Sequence, residues 1–500
     1  MPSYLHPGVY VEEIPSGSRP IEGVSTSTAA FVGVTRRKSH SDPVVPELIG
    51  SLSDYLDLYG PVLADDAMGH AVQAFYQNGG GAAYICPLST ASNTAFSSID
   101  VLDITAVDDG PWGSDLYIKV YDSNGAAQTF TLGVGTHNSD GIYYEMEKFE
   151  GASVDSTLTN YIETLVNGVS NFITVSVTAA TLPPDTAVDG VQLGAGAGGQ
   201  IGDETAPVGN DYSEFYDDVL RKYRDVRVII VPGRTWNTDQ DIISRAVTHC
   251  DKMKNCMVIV DPDDTELVNA SDVNTLDFPT STYTALYYPW IGIANPLYHP
   301  DKNPNVSKTI NIPASSMAAG MWAKIDAKRG VWKAPAGVEA QLSGASSLRF
   351  HVENLEQDQL NPLGVNCIRK LPGYGSVFWG ARTLATNADP EWRYVPVRRT
   401  AIYIEESIYN GIQWAVFEPN DEPLWASLRA NIGAFMNGMF RAGAFQGTKA
   451  NDAYFVRCGL GDTMTQADID RGQVIALIGF APLKPAEFVI VRIQQKVGEE

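Results

Sequence analysis

Thr28-Ala-Ala-Phe-Val-Gly-Val-Thr35 is a run of small and β-branched residues with no charge inside it. Such a run suits the centre of a sheet covered on both faces, because neither alternate set of side chains is charged. Downstream, residues 65–77 carry Ala71, Val72, Phe75 and Tyr76 at helical spacing, and Gly79-Gly80-Gly81 ends that helix. Ala83-Tyr-Ile-Cys86 then reads as a second strand. The order strand, helix, strand predicts an open α/β sheet. The same texture resumes at Tyr212. A helix over 213–224 leads to Val226-Arg-Val-Ile-Ile-Val-Pro232, and a helix over 239–253 leads to Met257-Val-Ile-Val260. One sheet is therefore expected to receive strands from both sides of what lies between. A further helix over 315–328 turns Met317, Met321 and Ile325 to one side.

The intervening residues 93–202 differ. Residues 115–122 alternate, with Leu116, Ile118 and Val120 on one face, and strands are also expected over 128–134 and 172–177. One helix is expected over 156–169. This is a compact insertion of mostly β type, closed by a Gly- and Ala-rich linker over 189–202. The C-terminal third carries longer elements. A helix is expected over 400–417, a second over 421–441, and a last core strand over 474–480. In the second helix Asp421 is the N-cap, Glu422 favours the positive helix end and Pro423 sits in the first turn. Leu424, Leu428, Ile432, Phe435, Met436 and Met439 form its apolar stripe. Arg429, Asn437 and Arg441 lie off that stripe.

Both ends of the chain look alike. Gly8-Val-Tyr-Val-Glu-Glu-Ile14 is a short strand between Pro7 and Pro15, with Val9, Tyr10, Val11 and Ile14 as its apolar residues. Phe488-Val489-Ile490-Val491-Arg492-Ile493 is a β-branched run beyond Pro482 and Pro485. Strands on Pro-stiffened stalks complete a sheet in their own domain or in a neighbouring chain. Taken alone, such strands favour the first. The fold class is thus mixed α/β and multidomain. It comprises an N-terminal arm over 1–22, a middle α/β domain from 23–92 and 203–360, the insertion over 93–202, a C-terminal α/β core domain over 361–481, and a C-terminal arm over 482–500.

Composition narrows the function. Thirty-five basic against 59 acidic residues give −24, which argues against nucleic acid as the main partner. Like charge also keeps copies apart unless specific contacts overcome it. No window approaches 18 apolar residues, and the N-terminus lacks the regions of a signal peptide, so cytoplasmic synthesis without membrane insertion is expected. The five cysteines are scattered in apolar contexts and read as buried thiols. Gly194-Ala-Gly-Ala-Gly-Gly199 resembles a dinucleotide loop only superficially, since no strand precedes it. Asp261, Asp263 and Asp264 could hold Mg²⁺ or form a solvated turn. His351 with Glu353 is a lone pair on a polar segment. No phosphate loop, nucleophile elbow or zinc-protease helix occurs. No catalytic, cofactor or metal residue is assigned.

Several segments, in order along the chain, carry a resemblance. The opening Tyr4-Leu-His-Pro-Gly-Val-Tyr-Val-Glu-Glu-Ile14 is similar to the start of contractile tail sheath proteins. Pro111-Trp-Gly113, Ala318-Ala-Gly-Met-Trp-Ala-Lys-Ile-Asp-Ala-Lys-Arg-Gly-Val-Trp-Lys-Ala-Pro335, Pro362-Leu-Gly-Val-Asn-Cys-Ile-Arg369 and Tyr374-Gly-Ser-Val-Phe-Trp-Gly-Ala-Arg-Thr-Leu384 also resemble that family. Residues 394–496 resemble its last domain nearly throughout. The family includes sheaths of contractile phages, tailocins and extracellular injection particles. The resemblance implies a subunit without enzymatic activity that forms a helical sleeve around an inner tube. It implies that the terminal strands are lent to neighbouring copies, and that baseplate and tail-terminator proteins are further partners. Rival readings are a non-contractile shell protein and an α/β nucleotide-binding enzyme. On the sleeve reading, Arg429 and Arg441, three i+4 steps apart, are expected to share one face with Asn437 and to meet acidic groups of the tube.

Overall fold

A computed structural model describes residues 20–37, 44–60, 62, 66–88, 92–137, 142–195, 198–295, 298, 300, 307–385, 387–488 and 490. By contacts, a larger unit runs from Ser25 to Ile402 and takes in the described residues from Lys484 onward. A smaller unit runs from Tyr403 to Leu483 and takes in residues 20–24.

The larger unit is built on an eight-stranded sheet. Its order is Glu47–Ile49, Ala83–Pro87, Ala29–Gly33, Val228–Ile230, Met257–Val260, Thr284–Tyr288, Val365–Leu371, Gly375–Phe378. The six inner strands are parallel and the two edge strands antiparallel. Every residue of Ala29–Gly33 is buried, as an uncharged run between two neighbours requires. Strands from both sides of the insertion enter this sheet, as expected. Helices Ala67–Gln77 and Ser315–Arg329 pack on it and on each other. They approach so closely that a Cβ on Gly320 would meet the Phe75 carbonyl oxygen. Trp322 on the second helix is buried and donates to the Tyr287 hydroxyl at 2.9 Å. Asp326, one turn on, forms a buried ion pair with Arg399 at 2.5 Å. Burial raises the Asp326 carboxyl and the guanidinium opposes that shift.

The sheet does not stop where the sequence reading places a domain boundary, between 360 and 361. Val365–Leu371 and Gly375–Phe378 belong to it, and the division by contacts falls at Ile402/Tyr403. Asn366 explains the continuity. Its buried amide donates to the Leu286 carbonyl of the adjacent strand at 3.0 Å.

The insertion has its own core of Leu102, Ile104, Ile118, Val120, Leu132, Val134, Ile162, Val166, Ile173 and Leu193. A three-stranded and a four-stranded sheet enclose it. Three features differ from the sequence expectation here. The helix is only Ile162–Val166, because Ser, Thr, Asp and Asn upstream bond locally instead, Asp155 accepting from Thr157 among them. Tyr143–Ala152 is a long strand that the sequence hides, since two register shifts against Thr129–His137 break its alternation. The Gly-rich stretch is no free linker, because Gln200 and Phe96 exchange backbone bonds at 2.8 and 2.9 Å. Elsewhere, the helix expected over 213–224 is a continuous helical run of three geometries, Gly209–Glu214, Phe215–Val219 and Leu220–Lys222, and the one expected over 400–417 is Val395–Gly411.

The smaller unit holds helix Glu422–Arg441, whose N-cap Asp421 accepts from the Leu424 amide at 3.5 Å. Leu424, Leu428, Ile432, Met436 and Met439 are buried, with Trp425 and Asn431 in addition. The expected core strand is Leu477–Phe480, and it is half exposed because, among the described residues, only one further strand pairs with it.

Candidate assembly interface

The smaller unit presents a two-stranded antiparallel sheet, Tyr454–Arg457 with Leu477–Phe480, in which Tyr454 faces Phe480 and Arg457 faces Leu477. Tyr454 and Phe480 turn inward onto Phe445, with ring centroids at 6.1 and 5.6 Å. The other face carries Phe455 and Leu477, 47% and 48% exposed. The Phe455 ring lies over Gly479, and a Cβ there would run into it. Two strands alone are marginal in water and need further strands or cover. Among the described residues no third strand pairs with either flank. Unpaired edges beside exposed apolar side chains suit the addition of strands from another chain.

The arms supply candidate strands. Val9, Tyr10, Val11, Ile14, Val489, Val491 and Ile493 lie outside the described residues. Phe488 and Ile490 are 74% and 78% exposed. Just before them, Glu487 is held by Arg382 and Tyr394 within the larger unit.

Helix Glu422–Arg441 does not place its cations on one face. Three i+4 steps advance an α-helix by about 120°, so Arg429 and Arg441 diverge, while Asn437 and Arg441 are only about 40° apart. Arg429 is also engaged. It pairs with Glu422 and donates to the Cys458 carbonyl. Arg441 is exposed and Asn437 half-buried.

The residues that suggested other chemistry are dispersed. Asp261 is buried and accepts from the Ser315 amide at 3.0 Å and hydroxyl at 2.5 Å. Asp263 accepts from Thr235 and Thr238, and Asp264 pairs with Arg349 at 3.0 Å. No group of three or more potential ligands gathers among the described residues. A cavity of about 190 Å³ at the carboxyl ends of the parallel strands is lined by His70, Pro232, Asp261, Trp290 and Ser315. No helix among the described residues is long and apolar enough to cross a membrane.

Residues 206–384 match the family described as the phage tail sheath protein central domain, and residues 387–496 match the phage tail sheath C-terminal domain. The two matches together span more than half of the chain. This chain belongs to the phage tail sheath family. The tail sheath protein of Burkholderia phage BcepMu is 25% identical over 479 residues, 90% of this chain and 89% of that one. That of Vibrio phage KVP40 is 26% identical over 180 residues, which span 36% of this chain and only 26% of the phage protein. A solved sheath complex of an extracellular contractile injection system, in its contracted state, superposes with a TM-score of 0.63. It is 25% identical and covers 99% of both chains. A sheath tail protein from Desulfitobacterium hafniense shares the fold, with a TM-score of 0.62 at 13% identity over 95% of this chain and 100% of that one.

Neither sheath-domain match reaches residues 93–202. Sequence reading of this sheath chain does not anticipate the contacts of Glu487 or the exposure of Phe455. Arg382, Tyr394 and Phe455 lie within segments that resemble the family, but no local pattern marks their contacts. The only hint is Glu487, an acid placed directly before an apolar run.

Proposed function

We propose that the chain polymerises with itself into a helical contractile sleeve around an inner tube. A trigger at the baseplate collapses the sleeve and drives the tube through a target cell envelope. The observation that carries this reading is the open two-stranded sheet with apolar Phe455 and Leu477 exposed beside it. A subunit with an incomplete sheet and spare strands assembles head to tail, and a head-to-tail contact that does not close makes a helix. Main-chain bonding makes the lent strand a tether, so subunits slide and rotate without parting. It also supplies the specific attraction that a chain of −24 needs to overcome its own repulsion. The work comes from interfaces formed on collapse, so no catalytic step, nucleotide or metal is assigned. Baseplate and terminator proteins bound the sleeve at its ends, and assembly takes place in the bacterial cytoplasm before the particle acts outside. Inner-tube contact falls to the exposed Arg441 with Asn437, and Arg429 buttresses their helix. The test is electron microscopy of the purified chain beside a deletion of residues 488–500. Striated sleeves are expected from the first and folded monomers from the second. Sleeves from the truncated chain refute strand lending.

A further inference from the structure

The C-terminal arm changes from clamped to exposed across one peptide step. Glu487 Oε1 accepts from Arg382 Nε at 2.9 Å, and Oε2 accepts from Arg382 Nη2 at 2.5 Å and from the Tyr394 hydroxyl at 3.1 Å. The side chains of Arg382 and Glu487 are only 7% and 16% exposed. The next residue, Phe488, is 74% exposed. A bidentate guanidinium–carboxylate pair fixes direction as well as distance. The guanidinium is fixed in turn. Its Nη1 donates to the Asn361 carbonyl at 3.0 Å, and the Arg382 amide donates to Asn366 Oδ1 at 2.6 Å. Asn366 lies in a strand of the central sheet and bonds the neighbouring strand through Leu286. The clamp is therefore mounted on the central sheet of the larger unit.

We infer that Arg382 and Tyr394 are positioning residues that hold Glu487 as the pivot of the C-terminal arm and aim the strand beyond it at a second copy of the chain. This rests on the proposed lending of that strand. A strand released from a fixed point searches a smaller volume than one on a free stalk, which raises its effective concentration at the acceptor. Mounting the pivot on the sheet also means that a rotation of the body is carried to the arm without slack.

The full-length chain tests this with Glu487→Ala, with Arg382→Met/Glu487→Met, which removes both charges and leaves no lone buried cation, and with deletion of 488–500 as reference. In the double variant the melting temperature is expected to stay within a few degrees of wild type. Amide exchange over 484–488 is expected to rise about tenfold, and the concentration needed for sleeves to rise about tenfold, with an irregular repeat. Wild-type sleeve concentration and repeat in the double variant, with the deletion still monomeric, overturn the pivot alone. Sleeves from the deletion overturn strand lending itself. Should the double variant not fold, Glu487→Gln decides, because it keeps the shape and one acceptor. A threefold or greater rise in the sleeve concentration supports the pivot, and no rise overturns it.

Discussion

Asp261 ends the strand Met257–Val260, and there burial works against its charge. The carboxyl is pushed up to about 7, although two bonds from Ser315 pull it down. Its folded value lies above its unfolded one, so the stability it contributes is full in acid, below its ordinary value of 3.8. That stability fades as pH rises through about 7. Between pH 5 and 8 the loss amounts to roughly 3 kcal/mol by proton linkage. Asp261→Asn keeps the shape, an acceptor for the Ser315 amide and a donor for its hydroxyl, but does not titrate. Relative to wild type, the variant is expected to gain melting temperature from pH 5 to about pH 7 and to level off toward pH 8. His249 acts in the other direction, since burial pushes it down to about 4 and stability falls as acid charges the unfolded imidazole. The decisive quantity is therefore the difference between the two proteins at each pH. A constant difference sinks the assignment of a raised carboxyl.

Helix Glu422–Arg441 shows how far an element can be read before its neighbours are known. Asp421, Pro423 and the apolar stripe announce its start, register and buried face, all local signals. Strands with uncharged runs, such as Ala29–Gly33 and Met257–Val260, were equally legible because both of their faces are covered. Tyr143–Ala152 was not, since bulges set by its partner erase its period. Nor was the fate of Arg429, because the Cys458 carbonyl that binds it comes from a distant loop. The two arginines should therefore behave differently. Arg429→Glu puts a like charge beside Glu422 and frees that carbonyl, with an expected cost of about 1 kcal/mol. Thermal melting should show it as a drop of a few degrees. Arg441→Glu should leave melting unchanged. On the proposed inner-tube contact it should lower the fraction of sleeves that retain a tube, while empty sleeves persist. Each exposed pair is worth only about 0–1 kcal/mol, so the grip comes from many copies and still breaks on contraction. Undiminished tube retention by Arg441→Glu counts against the contact.

At the scale of the whole molecule, the insertion is built as a detachable piece. Asn93 pairs with Asp203 and Ser92 with Glu204, so the chain enters and leaves it side by side, about 5 Å apart. Its core is its own. The main hydrophobic cluster takes Leu88 and next Tyr212, and no buried residue between them. What joins the insertion to the larger unit is mostly polar. Arg37 pairs with Asp108 at 2.8 Å and donates to the Asn171 carbonyl at 2.6 Å, and Arg36 pairs with Asp115. Losing such a seam returns two arginines to water, whereas losing a shared core would open a cavity. Insertions with these properties are tolerated where little else packs on them, which argues for an outer position in the sleeve. Replacing residues 94–202 with a short Gly/Ser linker should therefore leave a soluble subunit. Its melting temperature should lie within a few degrees of the intact larger unit. The same variant should still form sleeves with an unchanged axial repeat and a smaller outer diameter in electron micrographs. Sleeves with a wider bore or an altered repeat would place the insertion between subunits, and a subunit that folds but no longer assembles would make it part of the interface.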